Sequence, residues 1–154
     1  MPEVDCGFRD GLDVYARELL IEVGPTLKVD IGFDPNFDVA QPRKVANLPM
    51  SDVWALIDTG ASSCCIDSGL AMELRLPIID QQDCAGISGL MQVNMHLAQI
   101  RSPHLNFTLH GAFAGVNLLA GGQRHAVLIG RTFLRHFDMR YDGPNGSVVL
   151  SDPL

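Results

Sequence analysis

The sequence predicts an all-β fold with one or two short helices, and three observations carry that expectation. Several short stretches alternate apolar with polar side chains, the two-residue period of a strand with one buried face. Fifteen glycines and nine prolines are scattered along the chain, supplying the turns that many short strands require. Apolar residues make up 47% and charged residues 19% of 154 positions, enough to close a hydrophobic core in one domain.

The elements follow in chain order. Residues 1–23 form an N-terminal extension, polar at first and then Leu19-Leu20-Ile21-Glu22-Val23, a pattern open to either a short helix or a strand. Gly24-Pro25 marks a turn. Leu27, Val29, Ile31 and Phe33 then alternate with Lys28, Asp30 and Gly32, as in a half-buried strand. Across 34–52, Pro35, Pro42 and Pro49 interrupt any period, so a long surface loop of functional or mobile character is expected. Residues 53–57 form a strand that runs into Asp58-Thr59-Gly60-Ala61-Ser62. Asp67 or Ser68 caps a short helix over 70–76, which Pro77 ends. A Gly-bounded loop over 84–90 leads into a strand over 91–100, where Met91, Val93 and Met95 alternate with Gln92, Asn94 and His96. Leu105, Phe107 and Leu109 alternate again, and the apolar run 126–129 ends at Gly130. Residues 131–137 have helical character, and 139–142, the turn 143–146 and 147–151 make a closing hairpin. The chain reads as a single domain over 1–154, with its core in 24–152.

Composition excludes several functions. The net charge of −7 comes without any run of Lys or Arg, so no nucleic-acid partner is expected. No stretch approaches the ~18 apolar residues that span a bilayer. Glu3 and Asp5 stand where a signal peptide carries base, so a cytoplasmic protein is expected. Cys6, Cys64, Cys65 and Cys84 lack a Cys-x-x-Cys spacing, and they read as reduced packing residues. His96, His104, His110, His125 and His136 form no i, i+4 pair, so neither a metal nor a cofactor is expected. Trp54 is expected in the core, and Met91 and Met95 in packing.

The chemistry lies in an Asp-Ser/Thr-Gly tripeptide, which occurs twice, at Asp58-Thr59-Gly60 and Asp67-Ser68-Gly69. Asp58 ends a strand and precedes the small residues Ala61 and Ser62, leaving room for a substrate backbone. Asp67 opens a helix, where N-capping is the better reading. A peptide bond is hydrolysed when one carboxylate deprotonates water while a carboxylic acid protonates the carbonyl oxygen. Like charges ~4 Å apart repel by about 4 kcal/mol at an effective dielectric of 20, worth roughly 3 pKa units, so such a pair shares one proton. One chain supplies one such Asp, and a twofold-related copy is the simplest source of the second.

The segment Ala55-Leu56-Ile57-Asp58-Thr59-Gly60-Ala61-Ser62, followed downstream by Val127-Leu128-Ile129-Gly130-Arg131, resembles the retropepsin-like aspartic peptidases of stand-alone bacterial or cellular type. Gly86-Ile87-Ser88-Gly89 lies in the interval where that family has its flap. The resemblance covers roughly residues 24–152. It implies a closed barrel, one half of an acid protease, working as a twofold homodimer on polypeptide substrates. It implies Asp58 as the catalytic carboxylate, Thr59 bonded across the twofold axis, and Gly86, Ile87, Ser88 and Gly89 folding over substrate. Ile129, Gly130 and Arg131 would support the active-site loop, and the strand over 147–151 would contribute to the dimer interface. The viral members pair an Asp at the position of Ser62 with the Arg at 131, so the partner of Arg131 here is left open. A second function remains compatible: a catalytically silent dimer of this fold that binds a peptide or partner strand by β-augmentation.

Overall fold

The computed structural model describes residues 1–86 and 89–153. Its elements are β1 (Glu3–Asp5), α1 (Ala16–Glu22), β2 (Thr26–Gly32), β3 (Met50–Ile57), β4 (Cys65–Asp67), α2 (Ser68–Glu73), β5 (Ile78–Gly86), β6 (Gly89–Ser102), β7 (Phe107–Val116), β8 (Val127–Ile129), α3 (Arg131–Leu134), β9 (Asp138–Asp142) and β10 (Ser147–Ser151). The order β2-β3-β8-β4-β7-β6, closed by pairing of β6 with β2, makes a six-stranded barrel. This is the all-β architecture with short helices that the alternation predicts. No helix among the described residues is long and apolar enough to cross a membrane.

β6 is long enough to serve two partners along one edge. Its first part pairs with β5, from Gly86↔Gly89 to Ile78↔His96, and its later part pairs with β2 at Asp30↔Arg101, Ile31↔Ile100 and Gly32↔Gln99. The β5–β6 hairpin therefore projects from the barrel wall with β5 at its edge. Ile87 and Ser88, expected at the flap tip, lie outside the described residues. Two parallel pairings, β3 with β8 and β4 with β7, bring distant segments side by side.

The strand period decides what is buried. Leu27, Val29 and Ile31 of β2 and Val53, Ala55 and Ile57 of β3 point inward, joined by Ile66, Ile100, Val127 and Ile129. Phe107 closes one end, packed edge-on against Phe133 at 5.4 Å and Phe137 at 5.3 Å. The same period turns Trp54 outward: it stands opposite Lys28 and is 49% exposed, not in the core as expected. Met91, expected in packing, is also exposed, whereas Met95 is half-buried.

Element boundaries shift where capping decides them. Asp67 caps α2 by accepting from the Leu70 N–H at 3.0 Å, so the helix starts at Ser68 and ends before the expected limit. Of the two alternatives open for the apolar stretch at 19–23, the helix is the one formed, and a strand that the sequence did not announce lies earlier in the extension. β1 pairs antiparallel with β10, and α1 buries Ala16 and Leu20. Gly146 has a φ of +70°, and a Cβ there would collide with the Ala16 backbone, so this turn needs glycine. β10 is consequently the central strand of a β1-β10-β9 sheet, with both of its edges used within the chain.

The loop before β3 is fastened rather than loose. The Gln99 side chain brackets Asp34, accepting from its N–H at 2.6 Å and donating to its carbonyl at 3.2 Å. The Asp34 carboxylate accepts from the N–H groups of Asn36 and Asn47. The Thr108 N–H donates to the Pro42 carbonyl, Arg101 donates to the Lys44 carbonyl, and Arg43 pairs with the buried Asp152.

Candidate active site

β3 delivers Asp58 to the barrel rim because its partner β8 continues alongside. The Asp58 N–H donates to the Ile129 carbonyl at 2.9 Å, extending the β3–β8 ladder by one bond. The chain then turns. The Ala61 N–H donates to the Asp58 carbonyl at 3.2 Å, and the Gly60 N–H to Asp58 Oδ1 at 3.0 Å. The carboxylate is half-buried, while Thr59 and Gly60 are exposed. Among the described residues, no ion pair within 4.0 Å engages Asp58. Gly60 does not adopt the left-handed conformation; what its lack of a Cβ provides is space, since a Cβ would come 3.2 Å from Asp58 Oδ1.

The loop is held in shape by the start of α3. The N–H groups of Arg131 and Thr132 donate to the carbonyls of Ala61 and Ser62 at 2.9 and 3.0 Å. The Arg131 guanidinium donates from Nη1 to the Thr59 carbonyl at 2.8 Å, which supplies the partner that the sequence left open. A buried thiol adds to this: the Gly130 N–H donates to Cys64 Sγ at 3.4 Å, and Thr132 Oγ1 lies 3.9 Å from the same sulfur. Burial raises the Cys64 pKa, and these hydrogen bonds offset part of the rise. Gly130 is required by close approach, because a Cβ there would strike the Ser63 carbonyl. Ile129, Gly130 and Arg131 are thus brought against the loop formed by Asp58, Thr59, Gly60, Ala61 and Ser62.

The second Asp-Ser/Thr-Gly tripeptide is differently placed. Asp67 is 6% exposed and accepts from three backbone N–H groups, those of Leu70, Leu118 and Leu119, at 3.0 to 3.1 Å. It ties β4, α2 and the segment after β7 together, and its oxygens are occupied.

A cavity of about 400 Å³ separates the loop from the hairpin. The loop side is Gly60 through Cys65, the hairpin side is Gln82 through Ala85 with Val93 and Met95, and Ala114 completes the wall. A second cavity of about 460 Å³ adjoins it, sharing Cys84, Ala85 and Val93 and including Met91. Two half-buried cysteines, read from sequence as packing residues, line this cleft: Cys65 from β4 and Cys84 from β5. Burial pushes the Cys65 thiol up to about 11, and Cys84, Cys64 and Asp58 add to the rise. Nothing in the local sequence marks these two as lining one cavity, because β4 and β5 are not paired and face each other only across the opening.

A closed six-stranded barrel carrying an Asp-Thr-Gly loop at a strand end, beneath a projecting hairpin, is a retropepsin-like fold. Among solved structures the chain is similar to one described as a retropepsin-like aspartic protease from Rickettsia conorii, with a TM-score of 0.50 and 14% identity over 96% of this chain and 89% of that one. No family model matches the chain, and no curated protein matches it.

Proposed function

We propose that the chain is an aspartic endopeptidase acting as a twofold homodimer, with Asp58 of each copy as the catalytic carboxylate. The observation that supports this most is the setting of Asp58: half-buried, without a counter-ion among the described residues, and two residues before Gly60, where the lining of the cleft beneath the hairpin begins. A structural aspartate would have its oxygens spent on backbone donors, as those of Asp67 are. Asp58 spends one oxygen on the Gly60 N–H and keeps the rest of its acceptor capacity.

With two such residues facing each other, one is ionised and the other protonated. The ionised carboxylate takes a proton from a water as that water attacks the peptide carbonyl carbon. The protonated one gives its proton to the carbonyl oxygen, yielding a neutral tetrahedral diol. Breakdown returns a proton to the leaving nitrogen and restores the shared-proton pair. Thr59 would bond across the twofold axis, and its carbonyl, anchored by Arg131, would keep that contact in register. Gly86, Ile87, Ser88 and Gly89 would close over an extended peptide and exclude water. The central position of β10 leaves β1 and β9 as the outer strands of their sheet, so association by strand pairing would use those edges rather than the strand over 147–151.

The test is a mass-spectrometric peptide-cleavage screen near pH 5, comparing the native chain with Asp58→Asn. Cleavage by the native chain alone is expected. Equal cleavage by both would remove Asp58 from the mechanism. Retained peptide binding with cleavage by neither would favour the silent, strand-binding dimer.

A further inference from the structure

The cleft holds two thiols on its opposite walls, and the proposed hydrolysis uses neither. Cys65 is the first residue of β4, directly after the active-site loop, and Cys84 sits near the end of β5, the hairpin's edge strand. Both are free, half-buried, and contribute to the lining of the same 400 Å³ cavity. The electrostatic neighbour acting most on Cys65 is Cys84, ahead of Cys64 beside it in the chain and of Asp58. The other two cysteines are placed differently: Cys6 is buried against β10, and Cys64 faces inward on Gly130.

The two walls are free to approach each other. β5 pairs only with β6 among the described residues, so its outer edge carries no ladder that would resist movement toward β4. A disulfide requires Cα atoms roughly 4.4–6.8 Å apart. Movement of the hairpin toward the loop would shorten the gap between the two walls.

We propose that Cys65 and Cys84 form a reversible redox site: a peroxide links them into a disulfide that ties the hairpin to the active-site loop and closes the cleft. Burial keeps the Cys65 thiol protonated, so the Cys84 thiolate attacks the O–O bond of hydrogen peroxide, becoming a sulfenic acid and releasing hydroxide. The second thiol then attacks the sulfenic sulfur and expels its oxygen as water. In sum two thiols lose two hydrogens and one peroxide becomes two waters. A dithiol reductant reverses the change by thiol–disulfide exchange. The role of this site as a gate rests on the peptidase reading above, whereas formation of the bond does not.

The experiment treats the folded, reduced chain with hydrogen peroxide, blocks remaining thiols, and maps non-reduced peptides by mass spectrometry. A Cys65–Cys84 cross-link lighter by two hydrogens is expected, removed by dithiothreitol and absent in Cys65→Ser and in Cys84→Ser. Slower backbone hydrogen exchange over 82–85 in the oxidised form is expected as well. Independent oxidation of the two thiols to sulfinic acids, or a dominant Cys64–Cys65 link, would overturn the proposal. The mass readout needs no catalysis, so a chain that cleaves nothing yet forms the link defeats only the peptidase reading. A chain that cleaves peptides but never forms the link defeats only this one. Where cleavage is present, peroxide should suppress it at least tenfold, reversibly, and Cys84→Ala should abolish that sensitivity.

Discussion

Asp58 and Asp67 lead nearly identical tripeptides, yet the backbone around them assigns opposite duties. Asp67 is enclosed by three N–H donors from two segments, so removing its carboxylate orphans the Leu70 helix cap and the Leu119 amide, while the Leu118 N–H retains the Val116 carbonyl. Asp67→Ala should therefore cost about 2–4 kcal/mol of stability, read as a lower urea midpoint. Asp58→Asn keeps an oxygen for the Gly60 N–H and should move that midpoint little, even though it removes the carboxylate on which the proposed hydrolysis depends. Reversed sensitivities would mean that the two residues have been given each other's roles. The sequence distinguishes them through one feature, the strand before Asp58 against the helix after Asp67. It does not reveal that Arg131 reaches the Thr59 carbonyl, because a contact between residues 59 and 131 depends on the parallel β3–β8 pairing and leaves no local pattern.

Among elements, the junction between the active-site loop and α3 is the most constrained part of the site. Backbone bonds from Arg131 and Thr132, the Cys64 sulfur and the Arg131 side chain all converge on the loop. Gly130 is where the two segments come closest, and Gly130→Ala must push the Ser63 carbonyl aside. Overpacking of this kind costs about 1–3 kcal/mol, and here it would also shift the loop carrying Asp58. Calorimetry should show a lower Tm for Gly130→Ala, and an unchanged Tm would mean that the loop relaxes freely. The strand over 27–33 was legible because a two-residue period survives wherever one face is buried, whereas 53–57 was read from a continuous apolar run that carries no such period. Of the hairpin only the second strand was legible, from the alternation after Met91; β5 was not read, and residues 84–86 and 89–90, expected in a loop, are strand. The limits of α2 and the outward turn of Trp54 were harder to read, since each depends on which cap or barrel face prevails. The Cys65–Cys84 juxtaposition had no signal in one dimension, because β5 lies outside the barrel and faces β4 only across the cleft.

For the whole molecule, charge and burial oppose each other as pH falls. At neutrality the proposed dimer would carry −14, twice the −7 of each chain, and self-repulsion would oppose its association. Protonating all five histidines would bring each chain to −2 (−7 + 5), but the fold resists part of that gain. His125 is 2% exposed and bonded through Nε2 to Thr26 Oγ1 at 2.7 Å, and burial, then Arg124, lowers its pKa. Burial, then Arg135, lowers that of His136. A histidine depressed in the folded state leaves the unfolded chain binding more protons below its ordinary value of about 6.5, so stability declines as pH falls through that value toward the folded pKa. Acid should therefore tighten the dimer by relieving repulsion while loosening each chain. Sedimentation equilibrium should give a lower dimer dissociation constant near pH 5 than near pH 8, with the difference shrinking in high salt as the charges are screened. Urea midpoints taken at a fixed protein concentration on His125→Gln should fall less between pH 7 and pH 5 than those of the native chain. Weaker association at the lower pH in dilute salt would show that repulsion between copies is not what limits assembly, and that contacts made by carboxylates hold the copies together.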